Sequence, residues 1–188
     1  MPIPFLNTVR GKTVLYFFFL TNIVYLFMIF YTIPKTSAFA NGMTILDLKP
    51  FGYDFNYVNQ LFDQLGDAGR FYYLKTQLAV DFIYPTLFIL CYCALAVYTT
   101  SKLKTVNKLF KLMCWLPLIA GICDYIENLF ILNMLDNYPK IDHVSVTFSS
   151  IASVLKSSTT TLYFLLIFSA ILTAIGQKYL SSKKTVKV

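Results

Sequence analysis

Charge is what this sequence has least of: 13% of its 188 residues are Asp, Glu, Lys or Arg, against about 25% in an ordinary soluble domain, while 57% are hydrophobic. Histidine occurs once, at His143, beside Asp142. With no Cys or His partner near it, ordinary zinc or haem ligation is excluded and no cofactor is expected. No G-x-S-x-G, Walker or dinucleotide-binding motif occurs, which removes serine hydrolases and nucleotide enzymes of the common types. The four cysteines, Cys91, Cys93, Cys114 and Cys123, lack C-x-x-C spacing and fall inside apolar runs. They read as small packing residues rather than redox centres. There is no N-x-S/T acceptor, no internal repeat and no low-complexity segment.

What the sequence has is apolar length. Four runs, at about 14–33, 78–100, 112–135 and 146–175, are long enough to cross a hydrocarbon core of roughly 30 Å. They leave too little chain for a second domain. The fold class expected is all-α, a single integral membrane four-helix bundle. The first run, about 20 residues, is longer than the apolar part of a signal peptide, although Ala38-Phe39-Ala40 resembles a cleavage site. The 42-residue segment from Pro34 to Lys75 is too long to be a simple connector. Asp54 can cap a helix with Phe55, Val58, Leu61, Phe62 and Leu65 on one face and Gly66 as its stop. This amphipathic outer-surface helix lies either in the lipid interface or across the mouth of the bundle. Asp67 offers a second cap.

The net charge of +7 does not point to nucleic acid, because the bases sit at the ends of the spans. Arg10 and Lys12 precede the first span; Lys102, Lys104, Lys108 and Lys111 join the second and third; Lys178, Lys183, Lys184 and Lys187 follow the fourth. No acid accompanies them. The positive-inside rule then places both termini in the cytoplasm and the loops 34–75 and 136–145 outside. A bacterial inner membrane is the expected location, and membrane lipid the expected neighbour.

Leu112 to Leu135 carries the acids that any chemistry would use. Asp124 falls near the middle of this span, with Glu127 and Asn128 three and four residues on, so the three share a side that extends back to Gly121 and Pro117. A charge at mid-membrane costs roughly 2.5–3.5 kcal/mol, which turns that side away from lipid. The second span brings Asp81, with Gln77 and Tyr84 on the same side and Pro85 expected to kink the helix. The fourth brings Lys156 in a polar stripe with Ser149, Ser153, Ser157 and Thr160. Three acids against one Lys leave an excess that is either protonated through desolvation, solvated by internal water, or paired with Arg70, Lys75 or a bound cationic ligand. The candidate ligand-binding set is therefore Asp81, Asp124, Glu127, Asn128, Lys156, Arg70, Tyr84 and Ser153.

Tyr53-Asp54, Leu65-Gly66 with Gly69-Arg70 and Tyr73, Asp81 with Pro85, and Pro117 with Asp124, Glu127 and Asn128 together resemble a poorly characterised group of four-span bacterial integral membrane proteins, over about residues 50–160. The resemblance implies the topology and carries no activity. The architecture is also loosely similar to the emopamil-binding and sigma-2 receptor class, whose acids surround a cavity for sterol-like ligands.

Two readings stay open at this point. The acids and Lys156 form a pocket open to the outer side that binds or acts on a hydrophobic or lipid-like small molecule with a polar head. Alternatively they lock the helices of an accessory subunit of a larger membrane complex. Proton or ion transport fits less well, because the fourth span is nearly all apolar beyond Leu162.

Overall fold

The computed structural model describes residues 9–103 and 108–185, side chains at 108, 109, 111 and 178–185 excepted. Of the bases that set the expected topology, Lys104, Lys108, Lys111, Lys178, Lys183, Lys184 and Lys187 lie outside the described side chains. Among the described residues there is no strand. The helices are α1 (Gly11–Phe39), α2 (Phe55–Ser101), α3 (Lys108–Met113), α4 (Leu116–Asn137) and α5 (His143–Thr185). All but α3 are long and apolar enough to cross a membrane.

Proline decides where these helices bend. Pro34 has no N–H for the carbonyl of Phe30, and α1 widens just before it into a π-helical turn, Met28–Thr32, closed by Ile33 N–H on Met28 O. The helix then continues to Phe39, beyond the expected end of the first span. Pro117 similarly removes the bond that would extend α3, so α4 starts at Leu116 after a turn at Cys114 and Trp115, whereas the sequence predicts the third span from Leu112. Pro85 has the largest consequence. It breaks α2 at Phe82 and Ile83 and leaves the carbonyl of Asp81 without its helical donor. Asn128 Nδ2 supplies one from α4 at 3.3 Å, and Tyr125 OH donates to Phe82 O at 3.0 Å.

The expected amphipathic helix is the first part of α2. Asp54 caps it, its Oδ1 accepting from Tyr57 N at 2.7 Å. Gly66 bends the chain with φ 60° and ψ −177°, a backbone conformation open to glycine and costly for other residues. Val58, Leu61, Phe62 and Leu65 are buried against Ile45, Leu46, Ile131 and Met134, each contributing about 1.5–3 kcal/mol. The apolar face therefore packs on protein. Asp67, expected as a second cap, instead pairs with the guanidinium of Arg70. A second π-helical turn, Tyr73–Gln77, follows. It meets the one in α1 through Thr32 Oγ1, which donates to Gln77 Oε1 at 2.5 Å.

Packing follows small residues. The lower half of α2 lies against α1 on one side and α4 on another, and α5 lies along α4. Gly121 makes the α2–α4 approach possible: a Cβ there would run into the side chain of Ile89 and come within 3.3 Å of Pro85 O. Gly121→Ala is expected to destabilise by about 1–3 kcal/mol through overpacking, read as a lowered thermal midpoint in detergent; an unchanged midpoint would mean the helices separate freely there.

Asp142 starts α5 by accepting from Ser145 N at 2.7 Å and from Ser145 Oγ at 2.6 Å. These bonds hold its carboxyl below the usual range. A lowered folded-state value means that the cap is fully effective above the unfolded carboxylate value of about 3.9 and is lost as pH falls through the folded one. Hydrogen exchange at Ser145 and Val146 is expected to quicken in acid, and at every pH in Asp142→Ala. Exchange unaltered in that variant would remove the cap from the account.

Candidate functional site

Lys156 on α5 pairs with two acids on α4. Lys156 Nζ lies 3.0 Å from Asp124 Oδ1 and 2.5 Å from Glu127 Oε2. Glu127 is 0% exposed, as is Asn128, and the Lys156 side chain is 17% exposed. One amine thus serves two carboxylates one helical turn apart. Such pairs are held in low dielectric only when both partners stay in place.

A fourth acid joins them from outside the spans. Residues 40–54 run between α1 and α2 and include a short 3₁₀ turn, Leu46–Leu48, which carries Asp47 inward. Tyr73, fully buried, donates its hydroxyl to Asp47 Oδ2 at 2.7 Å. Asp47 and Asp81 line the same cavity, and no donor reaches Asp47 Oδ1 or Asp81 Oδ2, both buried. Carboxyl oxygens buried without donors need a proton or a cation as partner. The cluster holds four carboxyl groups and one amine.

The segment 40–54 is fastened to α5. Tyr53 N donates to Ser150 Oγ at 2.9 Å, Tyr53 OH and Ser149 Oγ are 2.6 Å apart, and Ser153 Oγ donates to Lys49 O at 3.1 Å. Burial, with Glu127 nearby, pushes the Tyr53 hydroxyl up from its ordinary pKa, so it remains protonated and able to donate. Gly52 sits so close to α5 that a Cβ would lie 2.5 Å from Ser150 Oγ. The polar stripe on α5 therefore divides. Ser149, Ser150 and Ser153 pin the segment, and Lys156, Ser157 and Thr160 face a cavity.

That cavity has a volume of about 440 Å³ and lies between α1, α2, α4 and α5, with Leu48 and Pro50 across one end. Asp47, Asp81, Asp124 and Lys156 cluster toward that end, and Tyr25, Phe88, Tyr92 and Phe164 form an aromatic wall. Tyr84 belongs to the wall as well, stacked on Tyr25 with ring centroids 5.7 Å apart. Lys156 and Phe164 are eight residues apart on α5, about 12 Å at 1.5 Å per residue. The space thus has a charged end and an apolar body. Its volume falls in the range of small-molecule sites, about 300–1,000 Å³.

The candidate residues separate accordingly. Asp81, Asp124, Lys156 and Tyr84 line the cavity. Glu127 is adjacent but faces Lys156, Asn128 serves the broken helix, and Ser153 holds the covering segment. Arg70 is not part of the site. It donates to Phe62 O at 2.6 Å, pairs with Asp67 and stacks on the Tyr138 ring at 4.0 Å, so it bridges the bend at Gly66 rather than offsetting the acids. Lys75 is exposed. His143 stacks on Phe55, 3.8 Å between ring centroids. Asp47 was missed by sequence reasoning. Its one signal was an acid set between apolar neighbours, Ile45-Leu46-Asp47-Leu48. Among the described residues, no group of three or more His, Cys, Asp or Glu side chains is arranged to hold a metal ion.

No protein-family model, curated protein or solved structure matches the chain.

Proposed function

We propose that this chain is an integral membrane protein of a bacterial inner membrane, with cytoplasmic termini and residues 34–75 and 136–145 outside. In the outer half of the bilayer it binds a hydrophobic molecule carrying one cationic head. The observation that carries this reading is the surplus of carboxyl groups over amines at one end of an aromatic-walled cavity. Lys156 contacts both Asp124 and Glu127 and offsets one of their two charges. Asp47 and Asp81 are left with oxygens that lack donors, and an ammonium group between them would supply those donors as charge-assisted hydrogen bonds. Four apolar helices and bases flanking their ends support the membrane setting.

The fold-locking reading is favoured for part of the cluster. Glu127 is fully buried and is not part of the cavity wall. Glu127 and Asn128 hold the helices, and Asp47, Asp81 and Asp124 face the ligand.

Mass spectrometry of lipids and small molecules retained by the gently purified protein tests the proposal, with Asp124→Asn, Glu127→Gln and Lys156→Met variants alongside. A single amine-bearing species held by the wild type and lost from folded Asp124→Asn is the expected result. If nothing specific is retained and each variant unfolds, the whole cluster is structural.

A further inference from the structure

We infer that the ligand enters sideways from the lipid, through an opening between α1 and α5, and that the ligands are consequently molecules already dissolved in the membrane. This deepens the binding reading above and rests on it.

The cover closes one route. Residues 47–53 cross the charged end of the cavity and are held by the three hydrogen bonds that join Tyr53 to Ser149 and Ser150 and Lys49 to Ser153, and by Tyr73 on Asp47. Leu48 and Pro50 line the cavity on that side. The side is different. α1 packs on α2 and α5 packs on α4, while α1 and α5 make at most marginal contact with each other. Both nevertheless contribute to the cavity wall, α1 through Asn22, Tyr25 and Ile29, and α5 through Ser157, Thr161 and Phe164. Tyr25 and Phe164 are each 43% exposed, so the wall continues onto the outer surface of the helices.

The chemistry of this edge suits an amphiphile. A membrane-facing surface is ordinarily all apolar, because an unpaired polar group in hydrocarbon costs several kcal/mol. Here Asn22, Ser157, Thr160 and Thr161 place an amide and three hydroxyls along the opening. Two of the four are bonded to their own helices, Asn22 Nδ2 on Phe18 O at 2.7 Å and Thr161 Oγ1 on Ser157 O at 2.8 Å, which keeps these two inexpensive when the opening is empty. Acceptor capacity remains on each for a passing ammonium group. A head moving from lipid toward Asp124 and Asp81 would meet oxygen acceptors along the way, and its apolar body would follow into the aromatic wall.

The test uses the full chain in phosphatidylcholine vesicles with dodecylammonium bearing a photoactivatable diazirine on its chain. Phe88 and Tyr92 are 6% and 8% exposed and line the cavity, so label on them reports entry. In Asn22→Cys/Thr161→Cys, a cleavable bifunctional thiol linker spanning the opening is expected to lower labelling of Phe88 and Tyr92 at least tenfold, and cleavage of the linker to restore it. The same reagent on the wild-type chain controls for its four native cysteines. Labelling that falls less than threefold on cross-linking overturns lateral entry and leaves the binding reading intact. Absence of label on Phe88 and Tyr92 in the wild type overturns the binding reading, and lateral entry with it.

Discussion

Lys156→Met is expected to lower the unfolding free energy by about 3–5 kcal/mol, the usual consequence of removing one partner from a buried ion pair. Asp124 and Glu127 both depend on this amine, at 3.0 and 2.5 Å, and Met keeps most of the length of the side chain while leaving two acids without a counter-charge. The measurement is thermal unfolding, or titration with a denaturing detergent, of the purified variant. Its decisive companion is the triple change Lys156→Met, Asp124→Asn, Glu127→Gln, which leaves none of the three groups charged. Recovery of most of the lost stability identifies unpaired charge as the cause. If the single variant unfolds within about 1 °C of the wild type, these acids are solvated in the folded protein and the pairing contributes little.

The second large effect has the opposite sign for stability. Asp47→Asn with Asp81→Asn replaces two cavity-lining carboxyl groups with neutral amides, and the amide introduced at position 47 would still accept from Tyr73. The double variant is expected to be at least as stable as the wild type and to bind dodecylammonium more weakly by about 30-fold or more, since losing a buried charged partner typically costs 2–5 kcal/mol at an interface. Isothermal titration in detergent measures both proteins. Equal affinity would end the assignment of these acids to a cationic head. Higher stability with lost binding is the relation expected of residues retained for a ligand instead of for the fold.

Part of this site is legible in the sequence. Asp124, Glu127 and Lys156 stand out because a charge inside an apolar run of spanning length has few places to go, and helical spacing alone puts the two acids on one side. The cap at Asp54 and the bend at Gly66 follow from local chemistry in the same way. Asp47 is not legible, because 40–54 has no periodicity from which to deduce which side chains turn inward. The π-helical turns are equally hidden. Pro34 announces a disturbance in α1, but nothing before Tyr73–Gln77 announces the second. Charge balance assigns Arg70 to the acids at a distance, when Asp67, three residues earlier on the same helix, is the nearer claim. Asn128 shows a further limit: its position beside the acids is legible, but its job depends on knowing that Pro85 frees the carbonyl of Asp81.

The covering segment has an implication for how such a protein diversifies. Asp47 reaches the cavity on a stretch of chain that crosses no membrane and is attached to α5 through a few serine hydroxyls. The charge that Asp47 brings to the cavity can therefore be changed at that one position, while Ile45 and Leu46 stay in the core between α2 and α4. Scaffold and selector are separable parts of one chain, and exchanging the short one would be the economical way to retarget the long one.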